Sequence, residues 1–264
     1  MAWAGSQLPI RKSRRLSFHR VTSQATGSAL QSTRVPQALI DEARRRLFPS
    51  LSDPSYLVLR SRRLIFSQWA RQFEGRHLTV LDIGGRYQPY RPLFGASIAK
   101  YLAIDLVETA LVNVVASGET LPFAPESFDM VIATQVMDYF KEPTVAVQQM
   151  HMVLKRGGTL LASIPACAPS FNEHERWRFT RTGLTQLLSP FAEVEIVPEL
   201  YSLGSVVRTL NLALDSFARY RFARSVYRRT GCPVLNLLGS GLERLKLTSN
   251  DQFTANYSVR ALKA

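Results

Sequence analysis

Leu78-Thr79-Val80-Leu81-Asp82-Ile83-Gly84-Gly85 is a short apolar run that passes straight into two glycines. A buried strand ending on glycine lets the backbone approach a ligand closely at the C-terminal edge of a parallel sheet. Downstream, Tyr101–Leu106 is a second apolar run, and its Asp105 lies 23 positions after Asp82. A carboxylate at such a strand end can accept hydrogen bonds from both hydroxyls of a ribose. Taken singly, each feature has an ordinary alternative, since turns also use glycine and aspartate.

Reading outward, apolar runs at Leu111–Val115, Phe128–Ala133, Thr159–Ile164, Glu193–Val197 and Ala255–Leu262 predict five more strands. Helical patterns at Thr144–Leu154 and Arg181–Leu188 fall between them. The first is expected to end at Gly157-Gly158, where glycine can take the left-handed conformation. Thr180 is placed to cap the second. Strand alternating with helix implies βαβ units, a parallel sheet and right-handed crossovers. Before this core, Leu39, Ala43 and Leu47 and then the run Tyr56–Phe73 predict two helices, separated by Pro49, Asp53 and Pro54. Between the last two strands, residues 202–250 read as a helical insertion. One helix holds Leu210, Leu214 and Phe217, an arginine- and aromatic-rich run follows, and a last helix places Leu235, Leu238, Leu242 and Leu245 on one face. A cap packed over the sheet is the favoured reading, and an interfacial helix attracted to anionic lipid is the alternative.

The 264 residues are 46% apolar and 20% charged, which suits one ample globular domain with additions. The net charge of +13 is unevenly distributed. Residues 1–40 hold six Lys/Arg and no acid, residues 41–201 are balanced at 17 of each sign, and residues 202–250 hold eight bases against two acids. An anionic partner is therefore expected at the tail or the insertion. The tail lacks apolar periodicity and is expected to be disordered. Its Arg-rich, Ser-rich, acid-free composition is also that of an organelle transit peptide, although a plain basic tail is preferred. Cys167 and Cys232 form no metal-ligand spacing with each other or with the four histidines, and no disulfide framework, so no metal and a reducing compartment are expected. No apolar stretch reaches the roughly 18–20 residues of a membrane span, so the expected place is the cytoplasm, free or against a membrane.

The segment Gly118-Glu119-Thr120-Leu121-Pro122-Phe123-Ala124-Pro125-Glu126-Ser127-Phe128-Asp129 adds a third motif to the two strand ends. With Asp138-Tyr139-Phe140 and Val153-Leu154-Lys155-Arg156-Gly157-Gly158, it resembles the class I S-adenosylmethionine-dependent methyltransferases with an "LPF…SFD" segment before the fourth strand. The resemblance spans about residues 56–200 and resumes at the last strand. It implies a Rossmann-like α/β fold of seven strands with helices on both faces, the last strand antiparallel and inserted between its neighbours. It implies S-adenosylmethionine as cofactor, with Gly84 and Gly85 along its methionine part and Asp82 organising that loop. Asp105 would hold the ribose, Ser117, Gly118, Glu119 and Thr120 would border the adenine, and Thr134 and Gln135 would close the pocket. The sequence departs from the family at Arg86 and Gln88, where further glycines are usual, and at Ser117, where an acid is common.

Methyl transfer needs placement of a nucleophile more than an elaborate catalytic constellation, and the sequence displays no clear one. Asp138 can reach substrate or cap a helix. The segment from Phe171 to Thr180 resembles the "H…WRFT" stretch of methyltransferases of glycan and cell-surface biosynthesis. There His174 is a candidate general base, and Arg176 and Arg178 are candidate anion holders, against the plainer reading of a loop anchored by Trp177 and Phe179. His151 reads as a packing or surface histidine. The favoured function is methylation of a small molecule, sugar or lipid-linked intermediate. The alternatives are an RNA methyltransferase using the basic segments, nucleic acid being the weaker partner, and a methyltransferase-like protein without catalysis.

Overall fold

A computed structural model describes residues 35–217, 220–245 and 250–264. The expected disorder of the tail lies outside the described residues. Two helices open the domain, α1 (Gln37–Leu47) and α2 (Tyr56–Ala70). α1 takes in residues that the sequence assigns to the tail, which ends the tail near Pro36 rather than at residue 40. The strands are β1 (Leu78–Ile83), β2 (Ile98–Asp105), β3 (Val114–Val115), β4 (Phe128–Thr134), β5 (Leu154–Pro165), β6 (Glu193–Pro198) and β7 (Asn256–Leu262). The other helices are α3 (Pro143–Val153), α4 (Arg181–Leu187), α5 (Ser202–Phe217), α6 (Arg221–Arg229) and α7 (Gly231–Leu245).

The strands form one seven-stranded sheet in the order β3-β2-β1-β4-β5-β7-β6. β1 to β5 pair in parallel, and β7 runs antiparallel to both β5 and β6. This is the Rossmann-like arrangement expected, with the last strand inserted and the helical insertion before it. Alternate side chains of each strand feed opposite faces. Leu81, Ile83, Val131, Ala133, Leu160 and Ala162 pack under α3 and α4, through Ala146, Val147, Met150 and Leu184. Val80, Met130, Ile132 and Leu161 pack under Leu47, Phe66, Trp69 and Phe94 on the other side. A third cluster joins α2 to the insertion through Leu57, Val58, Leu200 and Val207.

Two local expectations need correction. α3 ends at Val153 and the chain turns directly into β5, so Gly157-Gly158 caps no helix. Instead Gly157 (φ +71°) sits in a break of register between β4 and β5, where Met130 pairs Thr159 only two residues after Phe128 pairs Leu154. The third strand shrinks to Val114–Val115. Thr180 does cap α4, its side chain accepting from the Gly183 amide at 3.1 Å.

The insertion packs differently from its leucine pattern. α7 buries Cys232, Asn236, Gly239 and Ser240, with Leu235 and Leu242 at the margins, and leaves Leu238 and Leu245 exposed. α5 likewise buries Ser205, Val207, Arg208 and Asn211 and exposes Leu210 and Leu214. The small stripe permits close approach: a Cβ on Gly239 would fall 2.5 Å from Leu57 Cδ1. Asn236 fastens the contact by donating to the carbonyls of Leu51 (2.7 Å) and Asp53 (2.9 Å). The insertion and the two N-terminal helices thus form a cap at the carboxyl end of the sheet, where open α/β folds bind ligands.

Candidate active site

Under that cap lies a cavity of about 880 Å³, within the range of about 300–1,000 Å³ common for ligand sites. Its sheet side is lined by Gly84, Asp105, Ser117, Gly118, Glu119, Thr134 and Gln135, at or just beyond the ends of β1, β2 and β4. Its cap side is lined by Val58, Leu59 and Arg62 of α2 and Arg208 of α5, with Asp138 and the 171–178 loop completing the wall. The sequence reading found the sheet side almost entirely and missed the cap side.

Of the expected cofactor residues, Asp82, Gly85 and Thr120 do not line the cavity. Asp82 is buried at the end of β1, where its carboxylate accepts from Tyr101 Oη at 2.7 Å. A Cβ on Gly85 would sit 2.8 Å from the Asp82 carboxyl carbon and 2.9 Å from Ala103 Cβ, so the position requires glycine for packing. Gly84 does line the cavity and needs glycine for another reason, its φ of +76°. Thr120 closes a turn, its amide donating to the Ser117 carbonyl at 3.2 Å. The departures from the glycine-rich loop also have structural uses. Gln88 donates to the Leu111 carbonyl (2.7 Å) and accepts from Arg91 (3.0 Å), which braces the loop against the β2–β3 connection. Arg86 places Nε 3.2 Å from Asp105 Oδ2.

Asp105 also accepts from the Val107 amide through Oδ1 at 2.9 Å. A carboxylate offers about four acceptor sites, so each oxygen retains one for a ribose hydroxyl. Ser117 Oγ accepts from the Glu119 amide at 3.1 Å, and the Glu119 carboxylate accepts from the Glu142 amide at 2.8 Å, at the start of α3. Gln135 holds a left-handed conformation (φ +54°) and is tied to β5, donating to Ser163 Oγ at 3.0 Å. These donors, acceptors and close glycine backbone fit a ribosylated cofactor.

Burial, opposed by the Tyr101 hydrogen bond and reinforced by Asp105, pushes the Asp82 carboxyl up to about 7. The folded value exceeds the ordinary one of about 4, so this contribution to stability is complete at low pH and is lost as pH rises toward and through 7. The expected result is a melting temperature that falls between pH 5 and 8, with a visibly flatter profile for Asp82→Asn. Superimposable profiles would contradict it.

The segment after β5 is an anchored loop. The Asp138 carbonyl accepts from the Arg176 amide at 2.7 Å, Trp177 Nε1 donates to the Phe140 carbonyl at 2.8 Å, and the Phe179 amide donates to the Pro165 carbonyl at 3.0 Å. Arg178 is engaged by Glu175 (2.5 Å) and the carbonyls of Ala168 (3.1 Å) and Pro169 (3.0 Å), so it holds the loop. Arg176 is exposed, and so is His174, whose nearest charged neighbour is Glu173 at 4.0 Å. Asp138 is different. It is 5% exposed, Oδ1 has no hydrogen-bond partner among the described residues, and burial pushes its carboxyl up to about 6.

Comparison with known proteins gives a match to the sheet core. Residues 81–162 match a family model described as a methyltransferase domain. Over that segment the chain carries a methyltransferase domain, and the sheet order is that of the class I, S-adenosylmethionine-dependent type. An uncharacterized protein of Methanocaldococcus jannaschii is 30% identical over 34% of this chain and 45% of its own length. The mitochondrial arginine-hydroxylase NDUFAF5 of Mus musculus is 29% identical over 44% of this chain and 38% of its own. The chain therefore spans less than half the length of these curated relatives. A Thermotoga maritima methyltransferase structure described as a possible histamine N-methyltransferase has a TM-score of 0.48 and 18% identity, covering 86% of this chain and 98% of that one. The family model runs from β1 through most of β5, and α1, α2, α5, α6 and α7 of the cap lie outside it.

Proposed function

We propose that this protein transfers the methyl group of S-adenosylmethionine to a small-molecule acceptor, such as a sugar or a lipid-linked intermediate, held under the helical cap. The observation that carries this reading is a single cavity bordered on one side by the methyltransferase strand ends and on the other by cap side chains. The cofactor, when bound, supplies an electrophilic methyl group. Asp105 accepts the ribose hydroxyls, Ser117, Gly118 and Glu119 border the adenine, Thr120 closes the turn behind them, and the Gly84 backbone and the ends of Thr134 and Gln135 bound the remainder. Asp82 and Gly85 act one layer back, through packing.

Asp138 is the stronger choice for a general base. Asp138 lines the cavity, is buried and has one oxygen without a partner among the described residues, whereas His174 stands exposed on the loop. The test is release of S-adenosylhomocysteine with a panel of sugar and lipid-intermediate acceptors. With the acceptor that turns over, Asp138→Asn is expected to lower the rate about 100-fold or more, and His174→Ala to leave it near wild type. The reverse pattern would return the proton-accepting role to His174.

The cap's outer surface supports a peripheral membrane site. Leu203, Val206, Leu210 and Leu214 form an open stripe on α5, and Val234, Leu237, Leu238 and Leu245 form another on α7. Between them α6 presents Arg221, Phe222, Val226 and Arg229 to the surface. Apolar stripes next to arginines suit an anionic bilayer surface. No helix among the described residues is long and apolar enough to cross a membrane. The protein is expected to sediment with vesicles containing phosphatidylglycerol and to remain free with phosphatidylcholine alone. Equal behaviour with both would remove the membrane reading.

A further inference from the structure

Arg208 projects from the buried stripe of α5 into the cavity wall and is only 3% exposed. Its Nε and Nη1 find no hydrogen-bond partner among the described residues, and no carboxylate there pairs with it. The nearby acid, Glu199, is committed elsewhere. It accepts from Arg62 Nε at 2.8 Å and Nη2 at 3.0 Å, from Ser163 at 2.5 Å and from Ser258 at 3.0 Å. The Phe171 ring, 6.0 Å from Arg208 Cζ, gives only a weak cation–π contact. A guanidinium taken out of water without a counter-charge is costly, and its planar fork matches the geometry of an oxyanion.

We propose that Arg208 is the anchor for an acidic group, a phosphate or a carboxylate, on the acceptor molecule. This rests on the methyltransferase reading of the same cavity and narrows its substrate class to acidic small molecules or acidic lipid head groups. The surroundings favour a negative guest. Burial, then the neighbouring Arg62, lowers the Arg208 pKa to about 10, which leaves the side chain cationic near neutral pH and short of a partner. The two other arginines nearest the site in charge terms, Arg62 and Arg178, are held by Glu199 and Glu175 and serve as scaffold.

The test is titration of the full chain with inorganic phosphate and, separately, with malonate, at ionic strength held constant with chloride. It is run by calorimetry and by thermal melting, on wild type, Arg208→Met and Arg208→Lys. Wild type is expected to bind at least one probe saturably and to melt higher in its presence. Phosphate alone would indicate a phosphorylated acceptor, and malonate alone a carboxylate. Arg208→Met is expected to bind that probe at least tenfold more weakly, while melting no lower than wild type without the probe, because it removes an unpaired buried charge. Arg208→Lys is expected to recover part of the binding, which separates loss of charge from loss of fold if the methionine variant is poorly folded. Failure of both probes with wild type, or equal binding by Arg208→Met, would overturn the proposal. A parallel titration with S-adenosylhomocysteine keeps the two readings apart. Its failure would remove the methyltransferase reading, while the anion result would still decide the role of Arg208.

Discussion

Glu199→Gln is expected to destabilise the fold by about 3–5 kcal/mol, the usual result of removing one partner of a buried ion pair. Arg62 and Glu199 are almost wholly buried, with side-chain exposures of 5% and 0%, and they join α2 to the segment entering the insertion. Burial alone would lower the Arg62 pKa, and the Glu199 carboxylate outweighs that effect and holds it above the ordinary value. Loss of the carboxylate would leave the buried Arg62 guanidinium without its counter-charge, next to Arg208, which already has none. The amide oxygen of glutamine can still accept from Ser163 and Ser258, which share one oxygen of Glu199 at 2.5 and 3.0 Å, but its NH2 would then face Arg62 Nη2, which loses its acceptor. Chemical denaturation of Glu199→Gln, Arg62→Met and the double variant provides the measurement. The double variant is expected to recover part of the loss, because an ion pair removed whole leaves no unpaired charge. Strictly additive losses would show that the two side chains act independently.

Asp105→Ala is expected to weaken S-adenosylmethionine binding about ten- to a hundredfold without unfolding the protein. A hydrogen bond to a charged group contributes roughly 1.5–3 kcal/mol, and each 1.4 kcal/mol corresponds to about a factor of ten in affinity. The surroundings sharpen the prediction. Arg86 lies against Oδ2 and the Val107 amide against Oδ1, so the carboxylate is already oriented before any ligand arrives. Removing it would free Arg86, which is 41% exposed and can turn to solvent, so stability should change little. Calorimetric titration compares the two proteins, and an unchanged dissociation constant would remove Asp105 from the cofactor site.

The sheet was readable because its signals are local. Leu78–Ile83 is a mostly apolar run, interrupted only by Thr79 and Asp82, whose two faces are both covered, and Gly84, Gly85 and Asp105 sit at or just beyond the ends of β1 and β2. The cap was unreadable for the opposite reason. Arg62 and Glu199 are 137 positions apart, and no local pattern announces their pairing. Arg208 stands in a helix whose leucines suggested the buried face, yet the polar and small stripe went inward and the leucines outward. Periodicity identifies a helix's two faces but cannot say which one is buried when the buried side packs through Ser, Asn and Gly. Gly157-Gly158 misled because a register break depends on the partner strand, which a single segment does not reveal. In the 171–180 loop, the aromatic anchors were legible as Trp177 and Phe179, while the preference of Asp138 over His174 rests on burial that only the folded chain displays.

The central claim is that the strand-end face of this cavity holds S-adenosylmethionine, and isothermal titration of the purified full chain tests it most directly. The account predicts saturable binding in the micromolar range. Absence of binding at millimolar cofactor would contradict it and would leave the domain as a methyltransferase fold used for another purpose.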